Sequence, residues 1–204
     1  MNGELRAKVA TRYLLDGRID DAQRLLDETP VGIDHALLHV VEGRLHLANA
    51  DRTRDGTGET DSTLLSVAIS AFENALKLNR ELGVAWLGLA RTNRLLNNID
   101  SADEAIARAG RLLSEEDPSV AAESALLALD KGDIATAAQQ IDVADIHGQS
   151  AVITYVRGNI EARSGHLERA LEYYAKTLKE DPGHIRARLN RCSIYMALDE
   201  GRSA

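Results

Sequence analysis

Four residues that can bind a metal ion recur along one short stretch of the chain. They follow one another at helical spacing, on what would be a single helix face: His35, His39, Glu42 and His46. Imidazole and carboxylate groups bind Zn²⁺, but ligands spread along one helix axis lie too far apart to close around one ion. A second helix would have to supply the remaining ligands. We therefore expect half-buried packing histidines here and no metal site.

The stretch 51–63 has the residue order of a calcium-binding loop. Oxygen-bearing side chains occupy the ligand positions one, three, five, seven and nine of that loop, and a glycine occupies position six: Asp51, Thr53, Asp55, Thr57, Glu59 and Gly56. The twelfth place holds Ser62, where calcium loops have a glutamate that binds the ion through both oxygens. The same residue types are common in solvated connections. We expect a surface loop and no calcium site, so the sequence implies no cofactor.

The sequence motifs of enzyme active sites are absent. The chain has no nucleophile elbow, zinc-protease motif or phosphate-binding loop. Its one Gly-x-Gly, at 56–58, lacks the third glycine and the preceding strand of a dinucleotide site. Cys192 is the single cysteine, and we expect it to be a small buried hydrophobe. The sequence therefore predicts no enzymatic activity.

Charge and composition exclude several classes of partner. The net charge of −8, from 24 basic and 32 acidic residues, would repel nucleic acid and anionic membranes. No apolar run is long enough to cross a membrane, and the first residues lack the apolar core of a signal peptide. One cysteine cannot form an internal disulfide, which fits a reducing compartment. These features favour the cytoplasm, with the periplasm as the alternative if a leader has been removed.

An internal period of about 34 residues runs through the chain. It is clearest in 151–184, where small and bulky residues alternate around a glycine turn and a proline ends the unit: Gly158, Gly165, Ala170, Tyr174, Leu178 and Pro182. The preceding strong unit, 83–117, has similar residues at the corresponding places: Trp86, Leu89, Ala90, Ala102, Ile106 and Ala109. Aromatic residues make up only 3% of the chain, which favours closely packed helices over a β-rich fold.

These two units resemble the tetratricopeptide repeat (TPR), and three weaker units keep the same register. The repeats are 3–35, 36–82 with the inserted loop 51–63, 83–117, 118–150 and 151–184, followed by a partial or capping unit at 185–204. The resemblance implies an all-α fold: a right-handed α-solenoid of about five helix pairs plus a C-terminal helix, forming one superhelical domain over 1–204. The last helix is either a cap or the place where a longer repeat protein continues.

The resemblance also implies a concave groove that is lined by the first helix of each repeat and binds peptides. It places nine residues there: Arg44, Leu87, Arg91, Arg94, Leu126, Tyr155, Asn159, Arg186 and Asn190. Arginines in an apolar wall would suit a peptide that presents apolar side chains and a carboxylate. The alternative is that the apolar members pack on neighbouring helices, while the arginines pair with acidic residues on the same surface.

Two of these residues permit a sharper comparison within the family. Asn159 and Asn190 occupy the places of the two asparagines with which chaperone-binding TPR domains hold a C-terminal carboxylate. Tyr155 stands where that clamp has a lysine, and the repeat that supplies its other basic residues is absent. Asparagine also occurs at these places in repeats that bind no chaperone. We therefore expect no chaperone clamp.

Two functions follow from the resemblance. The first is a non-enzymatic scaffold that binds a protein or peptide in the concave groove. The second is a solenoid spacer within a larger assembly, such as a secretion or polysaccharide-export machine, in which the stacking of repeats matters and the groove is empty. An uncapped last helix would leave Tyr195, Met196 and Leu198 partly exposed, which predicts a homodimer through that helix.

Overall fold

The computed structural model describes residues 2–30, 32–57, 61–114, 117–145 and 150–203. Within these ranges the chain forms eleven α-helices and no strand. The helices are, in chain order, α1 (Gly3–Leu15), α2 (Ile19–Asp27), α3 (Ala36–Thr57), α4 (Ser62–Leu78), α5 (Gly83–Leu95), α6 (Ile99–Leu113), α7 (Pro118–Asp130), α8 (Ile134–Asp145), α9 (Ala151–Arg163), α10 (Leu167–Glu180) and α11 (Ile185–Ser203).

The helices form two compact units, Met1–Ser114 (unit 1) and Glu115–Ala204 (unit 2). In unit 1, α1 packs on α2, α3 on α4 and α5 on α6, while α1 and α5 both contact α3. In unit 2, α7 packs on α8 and α9 on α10, while α9 also contacts α7 and α11 contacts α10. Each unit is therefore a series of helix pairs in which the first helix of one pair contacts the first helix of the next.

Tight turns join the two helices of four pairs. Each turn contains one residue in the left-handed region, with φ between 60° and 84°: Gly17, Asn97, Gly132 and Gly165. Glycine adopts this conformation freely, and asparagine tolerates it better than most residues do. The sequence therefore encodes the reversal of the chain inside these pairs by residue type.

In the second helix pair, the structure differs from the sequence prediction of an inserted loop over 51–63. Helix α3 continues to Thr57 and α4 begins at Ser62, so 51–57 is helical. A formed helix extends at little cost because each added residue gains a hydrogen bond, and Asp51 is held in an ion pair with Arg91. The expectation of a loop is wrong for 51–57, and a helix there cannot wrap around a calcium ion. Glu59 lies outside the described residues.

Small residues let the helices approach closely. Alanines at the expected crossing places of the second helices are fully buried: Ala22, Ala68, Ala102, Ala137 and Ala170. Phe72 on α4 is 0% exposed and lies against two glycines, Gly43 on α3 and Gly88 on α5. A Cβ atom at Gly43 would lie 2.6 Å from the Phe72 ring, and one at Gly88 only 2.4 Å from it. The ring therefore fills the space that these glycines leave.

The last helix presents an uncovered face. Tyr195 is 51% exposed and Met196 is 65% exposed, as the sequence predicted for this helix. Cys192 is exposed as well, so the expectation that it is buried is wrong. At the equivalent position one repeat earlier, Gly158 packs against Tyr174 on the second helix of its pair.

Candidate functional site

Arginines from two neighbouring helices gather on unit 1. Arg44 lies on α3, while Arg91 and Arg94 lie on α5 with Leu87 one turn before them, and all four side chains are half-buried. We call these four residues the arginine surface. Helix α5 can lie close to α3 because Gly88 and Gly43 both accommodate the Phe72 ring. The expected groove residues of unit 1 therefore lie on two helices in direct contact.

The charges of the arginine surface are only partly compensated. The Arg91 guanidinium lies 3.2 Å from the Asp51 carboxylate on α3. Arg44 forms no hydrogen bond or ion pair with any residue that the structure describes. Burial, and after it the nearby Arg91 cation, lower the pKa of Arg44. The cations of Arg44 and Arg91 thus lie close together in a partly desolvated site, where they would stabilise a bound anion.

Three of the expected groove residues of unit 2 are buried. Leu126, Tyr155 and Arg186 are each 8% exposed. The Tyr155 ring lies 4.6 Å from the His184 ring, measured between centroids, and 6.2 Å from that of Tyr174. Helices α7 and α9 pack on each other, and Leu126 and Tyr155 belong to the buried core of unit 2. Little of these three side chains therefore faces solvent.

The two asparagines compared with a carboxylate clamp bond to each other and to Tyr174. The Tyr174 hydroxyl donates to Asn159 Oδ1 at 2.7 Å. Asn190 Nδ2 donates to the same oxygen at 2.9 Å and lies 3.4 Å from the Tyr174 hydroxyl oxygen. This network joins α9, α10 and α11. Both asparagines therefore have a structural partner inside unit 2, which explains their presence without a ligand.

The Tyr174 hydroxyl gives unit 2 a pH-dependent stability. Burial raises the pKa of Tyr174 to about 12, although the Asn190 hydrogen bond opposes part of this shift. The unfolded chain loses this proton near pH 10 while the folded chain keeps it, so stability is full below pH 10 and falls as the pH rises toward about 12. We expect a loss of about 2 kcal/mol over this interval.

The check is chemical denaturation of the wild type and Tyr174→Phe across the same pH interval. The phenylalanine variant cannot ionise at this position, so its stability should fall less steeply than that of the wild type. Parallel pH profiles of the two proteins would contradict the assignment.

The histidine stretch does not form one helical stripe. Helix α3 begins at Ala36, so His35 precedes it, and its Nδ1 accepts the Leu37 backbone N–H at 3.3 Å. The His39 ring lies between Asp34 and Glu42, with nitrogen–oxygen distances of 2.9 and 3.2 Å. His39 and His46 are half-buried beside a cavity of about 250 Å³. Among the described residues, no group of three or more histidine, cysteine or acidic side chains could hold a metal ion.

The comparisons with known proteins concern the fold. No family model and no curated protein matches the chain. A thermophilic TPR protein of Thermus thermophilus is similar in structure, with a TM-score of 0.69 and 16% identity over 95% of this chain and 98% of that one. A TPR protein of Parabacteroides merdae also matches at 0.69, with 17% identity over 93% of this chain and 70% of that one.

A third solved structure is the APC/C hetero-tetramer Cut9-Hcn1. It matches with a TM-score of 0.66 and 18% identity over 96% of this chain and 37% of the matched chain. The chain therefore has the all-α solenoid fold of TPR proteins, as the repeats predicted. None of its described helices has the length and hydropathy needed to span a bilayer.

Proposed function

We propose that this protein is a non-enzymatic interaction scaffold, and that its arginine surface binds a carboxylate-bearing peptide of a protein partner. The observation that carries the proposal is Arg44. Its guanidinium is half-buried beside Arg91 and has no carboxylate partner among the described residues. A charged group in such a place gains stability when an anion binds to it.

The chemistry of the surface favours a peptide carboxylate over other anions. An arginine fork can bind both oxygens of a carboxylate, which gives directional recognition. Leu87 lies one turn from Arg91 and is half-buried, so an apolar side chain of the ligand has a surface to cover. The net charge of −8 disfavours extended polyanions such as nucleic acid. A peptide with an apolar side chain near a carboxylate fits both features.

Charge reversal at Arg44 tests this proposal. We expect Arg44→Glu to weaken partner binding at least tenfold, because it replaces an attraction by a repulsion in a partly desolvated place. The assay is affinity capture from source-cell lysate, followed by titration of the captured partner. Lys179→Glu, an exposed charge reversal in unit 2, is the matched control.

Circular dichroism should first show equal helicity for the three proteins. A partner that the wild type and Lys179→Glu retain, and that Arg44→Glu loses, supports the proposal. Capture of the same proteins by all three contradicts it.

The exposed face of α11 favours a second candidate function, a solenoid spacer within a larger assembly. Tyr195 and Met196 would be covered there by the next element of the assembly, or by a second copy of this chain as a homodimer. A spacer predicts that Arg44 substitutions have no effect, whereas substitutions on α11 alter assembly. The two functions therefore respond to different sets of variants.

A further inference from the structure

A cleft separate from the arginine surface opens between α4, α5 and α6 in unit 1. Its volume of about 820 Å³ lies within the range of ligand pockets. Leu76 and Leu89 are its most buried apolar lining residues, each 7% exposed, while Trp86 and Leu112 are more accessible. A ligand side chain could therefore cover the accessible apolar surface of Trp86 and Leu112, below which Leu76 and Leu89 form the floor of the cleft.

Two contacts fix the wall of the cleft at the start of α5. The Trp86 indole N–H donates to the Arg80 carbonyl oxygen at 3.0 Å, in the connection between α4 and α5. A Cβ atom at Gly83 would lie 2.6 Å from Leu113 Cγ, so the end of α6 packs directly on the first residue of α5. The position of the indole is thus set before any ligand binds, which lowers the entropy cost of binding.

Basic side chains outnumber acidic ones around this cleft. Its lining includes four basic and two acidic residues: Lys77, Arg80, Arg108, Arg111, Glu73 and Glu81. Within the described part of the chain, none of the four basic side chains forms an ion pair. The whole chain carries a net charge of −8, so the cleft is a locally positive place on an acidic protein.

Arg108 combines the apolar and the charged features of the cleft. Its guanidinium carbon lies 6.0 Å from the centroid of the Trp86 ring, at the outer limit of a cation–π contact. The side chain is exposed and makes no hydrogen bond within the described residues. Its N–H groups are therefore available to a carboxylate that approaches over the indole.

We propose that this cleft binds a short acidic peptide segment of a partner protein. An apolar side chain of the segment lies over Trp86 and Leu112, and flanking carboxylates pair with Arg108 and Arg111. A peptide is favoured over nucleic acid or an anionic membrane because the cleft has accessible apolar lining beside its basic residues and the acidic chain repels extended polyanions. The site lies outside the arginine surface and does not depend on it.

The single tryptophan of the chain reports directly on this cleft. We would titrate the acetylated, amidated peptide Asp-Asp-Leu-Asp-Asp into the full chain and follow Trp86 fluorescence. The expected result is a saturable change. The peptide Asp-Asp-Ser-Asp-Asp should bind several-fold more weakly because it lacks the apolar side chain, and Lys-Lys-Leu-Lys-Lys should produce no saturable change.

Two double variants distinguish peptide binding in the cleft from nonspecific electrostatic attraction to the protein. Arg108→Glu with Arg111→Glu should weaken binding of the leucine peptide at least tenfold. Lys176→Glu with Lys179→Glu makes the same change in net charge at the same spacing on α10 and should bind as the wild type does. Arg44→Glu distinguishes the two sites: a response lost in the α6 double variant and kept in Arg44→Glu assigns the peptide to the cleft, whereas the reverse assigns it to the arginine surface and contradicts the proposal for the cleft. If the glutamate pair lowers helicity, Arg108→Gln with Arg111→Gln replaces it.

Three results would overturn the proposal. The first is no saturable response to the leucine peptide. The second is an equal loss of binding in the α6 and α10 double variants, which would show nonspecific attraction. The third is a stronger response to a single-stranded oligonucleotide or to anionic phospholipid vesicles than to the peptide, which would assign the cleft to another class of ligand.

Discussion

Phe72→Ala is expected to lower the free energy of unfolding by about 3–5 kcal/mol. The Phe72 ring is 0% exposed, and it fills the space beside Gly43 on α3 and Gly88 on α5. Neither glycine has a side chain that could move into the cavity, so little of the loss can be recovered by collapse. Chemical denaturation followed by far-UV circular dichroism measures the change.

Two further variants of α4 test this explanation. Phe72→Leu keeps much of the volume and should cost less than Phe72→Ala, about 1–2 kcal/mol. Val67→Ala removes an apolar side chain that is 40% exposed on the same helix and should change stability by no more than about 0.5 kcal/mol. A loss for Phe72→Ala as small as that for Val67→Ala would refute the central packing role of the ring.

Gly158→Val is expected to destabilise the protein by about 3 kcal/mol. A Cβ atom at Gly158 on α9 would lie 2.5 Å from the Tyr174 ring on α10. The ring is 1% exposed, and its hydroxyl is held by Asn159 and Asn190, so it cannot move aside without breaking these hydrogen bonds. The expected signature is a lower denaturation midpoint together with a lower pKa of Tyr174, as water reaches the hydroxyl.

The control for this variant is Ala175→Val, which places the same β-branched residue at an exposed position of α10. It should cost only the difference in helix propensity, about 0.5 kcal/mol. Because replacing glycine by valine raises helix propensity, a loss at Gly158 can come only from the contact with Tyr174. A Gly158→Val loss no larger than that of Ala175→Val would contradict the importance of this contact.

Residue types and their spacing were sufficient to predict the helix pairs. The small residues at Ala22, Ala102 and Ala170 recur at the repeat period, and each is buried at a crossing of helices. The turn at Asn97 has the same left-handed backbone conformation as the glycine turns, which asparagine tolerates better than most residues do. The error at 51–57 arose because aspartate, threonine and glycine favour loops by propensity, whereas the Asp51–Arg91 ion pair that supports the helix joins residues 40 positions apart.

The candidate site was harder to predict from the sequence than the fold was. The position on the first helix of a repeat led to the prediction of Arg44 and Arg91 as groove residues, and the same rule selected Leu126 and Tyr155, which are buried in unit 2. Which side chains remain accessible depends on how closely neighbouring helices pack, and this is a property of the fold. The cleft beside Trp86 was missed because Arg108 and Arg111 follow the tryptophan by more than twenty positions, and only the helix pairing brings them beside it.

Crosslinking from the arginine surface tests the central claim most directly. A photoreactive phenylalanine analogue at Leu87 should crosslink the captured partner, and Arg44→Glu in the same protein should abolish the crosslink. The analogue at Ser66, an exposed residue of α4, should give no crosslink. A partner that binds with undiminished affinity yet crosslinks only from Ser66, or crosslinks from Leu87 equally well in the Arg44→Glu protein, would contradict recognition by the arginine surface.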